Sequence, residues 1–169
     1  MSKRKDIHKI LVIGSGPSVI GQNGEYDYVG TEACKTLRHL GYEVIVANSN
    51  PASIMTNPNL ADQTYLEPLN VECLTRIIEK ERPDAVLPNL GGQNGLNLCA
   101  LLYKQGVLNR NGVKILGTPI GAITSSEDRI AFKKTLTDLG IETVPSEACY
   151  GIEEARACAN RMGYPVILR

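Results

Sequence analysis

Short apolar runs alternate along this chain with stretches in which apolar residues recur at helical spacing. The runs are rich in Val, Ile and Leu, as is typical of strands that are buried on both faces of a sheet. They occupy residues 10–13, 44–47, 85–87 and 113–116, and a further short strand fits residues 64–66. This part of the pattern therefore predicts five strands up to residue 116.

A helix is predicted after the first strand and a long polar loop. Asp27 is its expected N-cap and Gly41 its stop signal. Its predicted apolar face consists of Val29, Ala33, Leu37 and Leu40.

Two further helices are predicted between the later strands. Asn70 is the expected cap of one of them, on which Glu72 and Arg76 form an i,i+4 pair. The other covers about residues 94–105. Strict alternation of strands and helices predicts an α/β fold, a parallel sheet with helices on both faces.

The pattern changes near Pro119. Ser125 and Asp128 have capping-box spacing and are expected to open a helix that stops at Gly140. A helix over about residues 152–162 and a strand that starts at Pro165 follow. A strand without a visible partner is a poor end for a domain, so we predict a first domain over 1–120 and an incomplete second domain over 121–169.

Composition narrows the classes of protein to which the chain can belong. It has 169 residues, 18 Lys and Arg, 18 Asp and Glu, and a formal net charge of zero. This balance argues against a nucleic-acid-binding surface. No apolar run reaches the roughly 18 residues of a membrane helix, and the charged first residues do not resemble a secretory signal.

Cysteines and histidines do not form a recognisable reactive or metal-binding motif. The five cysteines include no C-x-x-C pair, so we expect reduced and mostly buried thiols of a cytosolic protein. His8 and His39 have no Cys, Asp or Glu partner at metal-ligand spacing. We therefore predict no metal site in this chain.

The loop after the first strand only partly resembles a dinucleotide fingerprint. Its glycines Gly14, Gly16 and Gly21 are spaced G-x-G-x-x-x-x-G, which misplaces the third glycine. Asn48 and Asn50 follow the second strand, where a nicotinamide-dependent enzyme would carry an acidic residue for the ribose. An oxidoreductase is therefore disfavoured, and a plain tight surface loop remains an alternative.

Several motifs occur together in one order. They are Gly14-Ser-Gly-Pro, Ile20-Gly-Gln, Glu25-Tyr-Asp-Tyr, Gly30-Thr-Glu-Ala-Cys-Lys, Asn48-Ser-Asn-Pro-Ala-Ser-Ile-Met-Thr, Ile77-Ile-Glu-Lys-Glu-Arg-Pro-Asp-Ala-Val-Leu-Pro, Gly91-Gly-Gln and Glu127-Asp-Arg. From about Asp6 to Arg169 the chain closely resembles the amino-terminal part of the large subunit of carbamoyl-phosphate synthetases. The resemblance implies a Rossmann-like pre-ATP-grasp domain followed by the start of an ATP-grasp domain.

The resemblance also implies a function for the whole large subunit. Its first half would use ATP with Mg²⁺ or Mn²⁺ to phosphorylate bicarbonate, and ammonia from a glutaminase small subunit would convert carboxyphosphate to carbamate. The remainder of the large subunit would phosphorylate carbamate for arginine and pyrimidine synthesis in the cytoplasm. No nucleic acid or membrane partner is implied.

The resemblance assigns candidate residues by position. Arg129 and Arg169 match ATP-binding arginines, whose planar guanidinium groups suit phosphate oxygens. The loop that carries Glu25 is expected to lie near the passage for ammonia or carbamate. Other residues expected to present amides toward that passage are Gln22, Gly91, Gly92 and Gln93. Exposed-surface roles for Arg129 and Glu25 remain alternatives.

The expected catalytic and metal-binding residues of such an enzyme lie beyond Arg169. We therefore expect the isolated chain to be inactive. An alternative is a stand-alone binding or assembly module that docks on a glutaminase or a separate ATP-grasp chain. Asn23, Gly24, Asn89 and Asn94 depart from the family pattern, so the detailed lining of the passage is left open.

Overall fold

A computed structural model describes residues 3–17 and 23–168. The chain divides into two compact units, Met1–Ile123 and Thr124–Arg169. The predicted division into a first domain over 1–120 and a second domain over 121–169 remains a prediction.

The first unit is built on a parallel sheet of five strands in the order β3-β2-β1-β4-β5. The five strands confirm the predicted runs with small differences at their ends. They are β1 (Lys9–Ile13), β2 (Glu43–Asn48), β3 (Gln63–Leu66), β4 (Ala85–Leu87) and β5 (Lys114–Ile115). The predicted α/β fold with a parallel sheet is therefore confirmed.

Helices connect the strands. They are α1 (Asn23–His39), α2 (Val71–Glu81), α3 (Gly92–Lys104) and the short α4 (Val107–Arg110). The predicted cap of α2 is confirmed, because Asn70 Oδ1 accepts a hydrogen bond of 2.8 Å from the Cys73 amide. The predicted Glu72–Arg76 pair is also present, at 3.0 Å.

Successive side chains of the central strand β1 enter two different cores. Leu11 and Ile13 pack with buried residues of α2 and α3 on one face of the sheet. Ile10 and Val12 pack with Cys34 of α1 on the other face. Because side chains alternate along a strand, a continuous apolar run is needed to fill both cores.

The prediction for α1 was wrong at its start and on its buried face. The helix begins at Asn23, so Asp27 lies inside it and Glu25 lies in its first turn rather than in a loop. Val29 is 47% exposed, and Gly30 lies on the buried face instead. Close packing of Gly30 on Met55 sets this face, because a Cβ at residue 30 would lie 2.2 Å from Met55 Sδ.

The second predicted region contains more breaks than the sequence pattern indicates. Helix α5 (Ile120–Glu127) ends just before α6 (Arg129–Asp138), and α7 spans Ile152–Met162 as predicted. The capping box was wrong: Ser125 lies inside α5, and Asp128 itself caps α6 by accepting 2.8 Å from the Ala131 amide.

The strand expected from Pro165 is absent from the described residues. Residues 165–168 are not assigned to a strand, and Ile167 is 95% exposed. A strand requires a neighbour with which to pair, and none of the described segments pairs with this one.

Among the helices of the described residues, none is both long and apolar enough to cross a bilayer.

Candidate functional site

Polar and glycine-rich loops follow the strands at one edge of the sheet, which we call the carboxyl edge. It comprises residues 14–17, 49–50, 67–69, 88–94 and 116–118, the described segments that follow β1 to β5, together with Asn48 at the end of β2. The strand order reverses between β1 and β4, and ligands of open parallel sheets bind beside such a reversal. The loops after these two strands are therefore the expected place for a ligand.

Gly91 brings those two loops into direct contact. A Cβ at position 91 would lie 2.6 Å from the Gly14 carbonyl oxygen and 2.8 Å from that of Ile13. Both neighbours are backbone atoms, which cannot rotate away as a side chain can. Position 91 therefore requires glycine if β1 and the turn after β4 are to meet.

Asn48 anchors the loop after β1 from the neighbouring strand. Its side-chain oxygen accepts hydrogen bonds of 2.9 Å from the amides of Gly16 and Ser49. The side chain is buried, and its Nδ2 has no hydrogen-bond partner among the described residues. Sequence reasoning noted Asn48 only as a missing ribose acid; an amide at the end of a buried strand was the available signal for this role.

The loop after β4 is held to the loop after β1 and to the loop after β5. Asn94 Nδ2 donates a hydrogen bond of 3.3 Å to the Ser15 carbonyl oxygen, and Asn89 Nδ2 donates one of 2.9 Å to the Thr118 hydroxyl. Both asparagines are positions at which the sequence was expected to depart from the pattern that the resemblance implies. Their amides therefore hold backbone and side-chain groups at the carboxyl edge.

Three of the predicted passage residues come together. Gly91, Gly92 and Gln93 line a small cavity of about 140 Å³, together with Ser15 and Tyr26. Gly92 has φ of +57°, and a Cβ there would lie 2.8 Å from a Tyr26 ring carbon. This cavity is large enough for a few small molecules and too small for a nucleotide.

A larger cleft of about 610 Å³ lies on the β2 and β3 side of the same edge. Its polar lining includes Ser49, Glu67 and Asn94, and its apolar lining includes Leu66 and Leu98. The cleft is therefore mixed in character.

Glu25 directly precedes Tyr26, which lines the small cavity, but Glu25 is not itself among the lining residues. It is exposed in the first turn of α1, where a negative charge interacts favourably with the helix dipole. Gln22 lies outside the described residues.

Asp27, inside α1, is bonded to the start of a 3₁₀ turn, Ile54–Thr56, and to its N-cap Ser53. Its carboxylate accepts from the Ser53 hydroxyl at 2.5 Å and from the amides of Ile54 and Met55 at 2.9 and 3.2 Å. Burial opposes ionisation, but these hydrogen bonds outweigh it and lower the pKa of Asp27. The sequence did not reveal this contact, because the partners are 26 to 28 residues apart.

The candidate ATP-binding arginine lies in the second unit. Arg129 is the first residue of α6, directly after the cap Asp128. It is exposed and has no ion-pair partner in the described part of the chain. Arg169 lies outside the described residues.

All five cysteines are free, as expected; Cys34, Cys99 and Cys158 are buried. Burial raises the pKa of Cys34 and of Cys99 to about 11, so both remain thiols at neutral pH. Within residues 3–17 and 23–168, no group of three or more His, Cys, Asp or Glu could hold a metal ion.

Two protein families match consecutive parts of this chain. Residues 6–125 match the carbamoyl phosphate synthase preATP-grasp domain, and residues 128–169 match the ATP-binding domain of the carbamoyl-phosphate synthase L chain.

Relatives match the chain from end to end. It is 55% identical to the N-terminal section of the carbamoyl phosphate synthase large chain of Aquifex aeolicus and 52% identical to the large chain of Archaeoglobus fulgidus. Both matches cover 100% of this chain, but only 30% of the first relative and 16% of the second. The chain therefore spans less than a third of the relatives' length.

A solved structure of lower sequence similarity shows the same fold. The biotin carboxylase domain of a single-chain bacterial carboxylase has a TM-score of 0.68 and 19% identity, with 96% of this chain and 36% of the other covered.

Proposed function

Because this chain belongs to the carbamoyl phosphate synthase preATP-grasp family, we propose that it forms the amino-terminal section of a carbamoyl phosphate synthase large chain. The observation that carries this proposal is the 55% identity to the Aquifex aeolicus section over the whole length of this chain. The larger protein would be an ATP-dependent ligase that phosphorylates bicarbonate in its first half. Ammonia would then convert the resulting carboxyphosphate to carbamate.

Arg129 is proposed to bind ATP phosphate oxygens. Phosphoryl transfer depends on positioning and on neutralising charge, and a guanidinium group supplies both without changing its protonation. The exposure of Arg129 and the absence of an ion-pair partner in the described residues support this role. Arg169 is proposed for the same role on its sequence match alone.

Gly91, Gly92 and Gln93 are proposed to line the passage for ammonia or carbamate. The small cavity that they line supports this, because its volume suits species of a few atoms. Glu25 and Gln22 are retained as candidates by sequence match, with Glu25 on the first turn of α1 rather than in a loop.

A divalent metal would accompany ATP in the larger protein and would neutralise phosphate charge during transfer. The described residues contain no cluster that fits such an ion. We therefore assign it no ligand in this chain and propose Mg²⁺ or Mn²⁺ only for the larger protein.

Further parts of the proposal concern the larger protein in its cell. Its partners would be the remainder of the large chain and a glutaminase small subunit, and its substrates bicarbonate, ammonia and ATP. The product would serve arginine and pyrimidine synthesis in the cytoplasm.

A chimera tests the proposal. Residues 1–169 replace the corresponding segment of the Aquifex aeolicus N-terminal section, and ATP hydrolysis is measured with and without bicarbonate. We expect bicarbonate-dependent hydrolysis. In the same chimera, Arg129→Lys should raise KM for ATP roughly tenfold because the bidentate geometry is lost, whereas Arg156→Lys, which changes an exposed residue of α7, should not.

A folded chimera that hydrolyses no ATP in response to bicarbonate contradicts the proposed ligase. Equal effects of the two arginine variants contradict only the role of Arg129. The isolated chain should bind MgATP negligibly, and calorimetry that shows micromolar affinity would overturn that expectation.

An assembly module is the second candidate. Large apolar side chains are exposed in the second unit, including Val144, Tyr150 and Ile167 at 82%, 87% and 95%. Exposed apolar surface of this kind is typical of a site that another polypeptide covers. A stable complex of the isolated chain with a purified glutaminase subunit, seen by sedimentation, would favour this candidate; two separate species would oppose it.

A further inference from the structure

Two cysteines of the second unit lie together, although they are nine positions apart in sequence. Cys158 is buried within α7, and Cys149 is partly exposed two residues before the Gly151 cap of that helix. Burial raises the pKa of the Cys158 thiol, and the neighbouring Cys149 thiol and Glu147 carboxylate raise it further. Neither cysteine takes part in the proposed ligase chemistry.

Contacts on both sides of Cys149 hold it over the part of α7 that carries Cys158. On one side, Glu147 accepts 2.6 Å from Arg161. On the other side, the Tyr150 amide donates 3.0 Å to Glu154.

Residues 154, 158 and 161 share one face of a helix, because they are four and three positions apart. The segment 147–150 is therefore attached to this face both before and after Cys158. This arrangement holds the Cys149 side chain against the Cys158 side chain.

The surroundings of Cys158 are rich in sulfur. Met162 lies one turn further along the same face, with its Sδ 3.7 Å from Cys158 Sγ. The two cysteines differ in access to solvent, since Cys158 is only 5% exposed. A small oxidant would therefore meet Cys149 first.

We propose that Cys149 and Cys158 form a reversible disulfide when the protein meets hydrogen peroxide. The Cys149 thiolate attacks one peroxide oxygen and becomes a sulfenic acid, and the released hydroxide takes up a proton to give water. The Cys158 sulfur then attacks the Cys149 sulfur, and the sulfenic oxygen leaves as a second water. Two thiols thus lose two electrons and two protons, and one peroxide is reduced to two waters.

The other cysteines lack this arrangement. Cys34 and Cys99 are fully buried in the two cores of the first unit. Cys73 is partly exposed in the first turn of α2, at the same level of burial as Cys149. It therefore provides a matched control for simple accessibility.

Peptide mapping tests the proposal directly. Trypsin cleaves after Arg156, so Cys149 falls in the peptide 135–156 and Cys158 in the peptide 157–161. The native chain is treated with hydrogen peroxide, alkylated, unfolded and digested without reductant. We expect these two peptides joined, an intact monomer lighter by two hydrogens, and complete reversal by dithiothreitol.

Two variants and an unfolded sample sharpen the test. Cys149→Ser should abolish the linkage, and Cys73→Ser should leave it unchanged. The chain oxidised in urea should yield mixed pairings among its five cysteines, whereas the native chain should yield one.

Three results would overturn the proposal. They are addition of oxygen to Cys149 or Met162 without cross-linking, linkage of Cys149 to a second chain, and the same mixture of pairings from native and unfolded samples. None of these readouts depends on ligase activity.

Discussion

Close approach of backbone atoms defines the carboxyl edge at the scale of single residues. Gly91 permits the turn after β4 to touch the end of β1, where ligands of this fold class bind. Asn48 and Asn94 then hold the adjoining loop by amide hydrogen bonds. The shape of the site therefore depends on residues with little or no chemical reactivity.

Gly91→Ala should destabilise the first unit. The new methyl group would press on the carbonyl oxygens of Gly14 and Ile13, and the backbone must move, at a cost of about 1–3 kcal/mol. Gly24→Ala is the matched control, because no atom lies within 4 Å of a Cβ there and α1 favours alanine. Urea denaturation compares the two; equal stabilities would show that the close contact is absent.

Asp27→Asn should lower the free energy of unfolding by about 1–2 kcal/mol, because charge-assisted hydrogen bonds to Ser53, Ile54 and Met55 are weakened. The folded-state pKa of Asp27 lies below its unfolded value. The contribution of ionised Asp27 to stability is therefore complete above the unfolded-state pKa of about 3.9, and it is lost as the pH falls through the folded-state pKa.

Denaturation at several pH values measures this effect. The difference between wild type and Asp27→Asn should shrink below about pH 4. Asp138→Asn, at an exposed ion pair with Lys134, should change stability by less than about 0.5 kcal/mol. A difference for Asp27→Asn that stays constant down to strongly acidic pH would contradict the account.

Strands and helices differ in how completely local patterns specify them. The central strands β1, β2 and β4 were predictable, because a strand buried on both faces must be a continuous apolar run. The edge strands β3 and β5 are less buried, and their predicted runs differ from the observed bounds by one residue at one or both ends. The start of α1 was not predictable, since Asp27 has the residue type of a cap but bonds to a turn distant in sequence. The predicted strand after Pro165 failed because pairing is a property of two segments and not of one.

The candidate site was predictable in part for the same reason. The glycines at positions 91 and 92 and their place after a strand were visible in the sequence. Their contacts with Gly14 and Tyr26 depend on which strands become neighbours, and the sequence pattern does not state the strand order.

The break between α5 and α6 yields a test at the scale of elements. Asp128→Ala should remove the cap of α6, cost about 1 kcal/mol locally and speed hydrogen exchange at the Ala131 amide. Ser125→Ala should have almost no effect, because Ser125 lies inside α5. A larger effect of Ser125→Ala than of Asp128→Ala would instead support the capping box that the sequence predicted.

The two units carry different parts of the proposed function at the scale of the whole molecule. The first unit contains the carboxyl edge with its small cavity, and the second contains Arg129. Two consecutive domain models of one enzyme family match residues 6–125 and 128–169. The central claim is that the larger protein phosphorylates bicarbonate.

Oxygen transfer in the chimera tests that claim most directly. Bicarbonate labelled with ¹⁸O is supplied with ATP in the absence of ammonia, and the inorganic phosphate released is analysed by mass spectrometry. If a bicarbonate oxygen attacks the γ-phosphorus, that oxygen remains on phosphorus when carboxyphosphate breaks down. The account predicts one labelled oxygen in each phosphate released; unlabelled phosphate would mean that water attacks ATP and would contradict it.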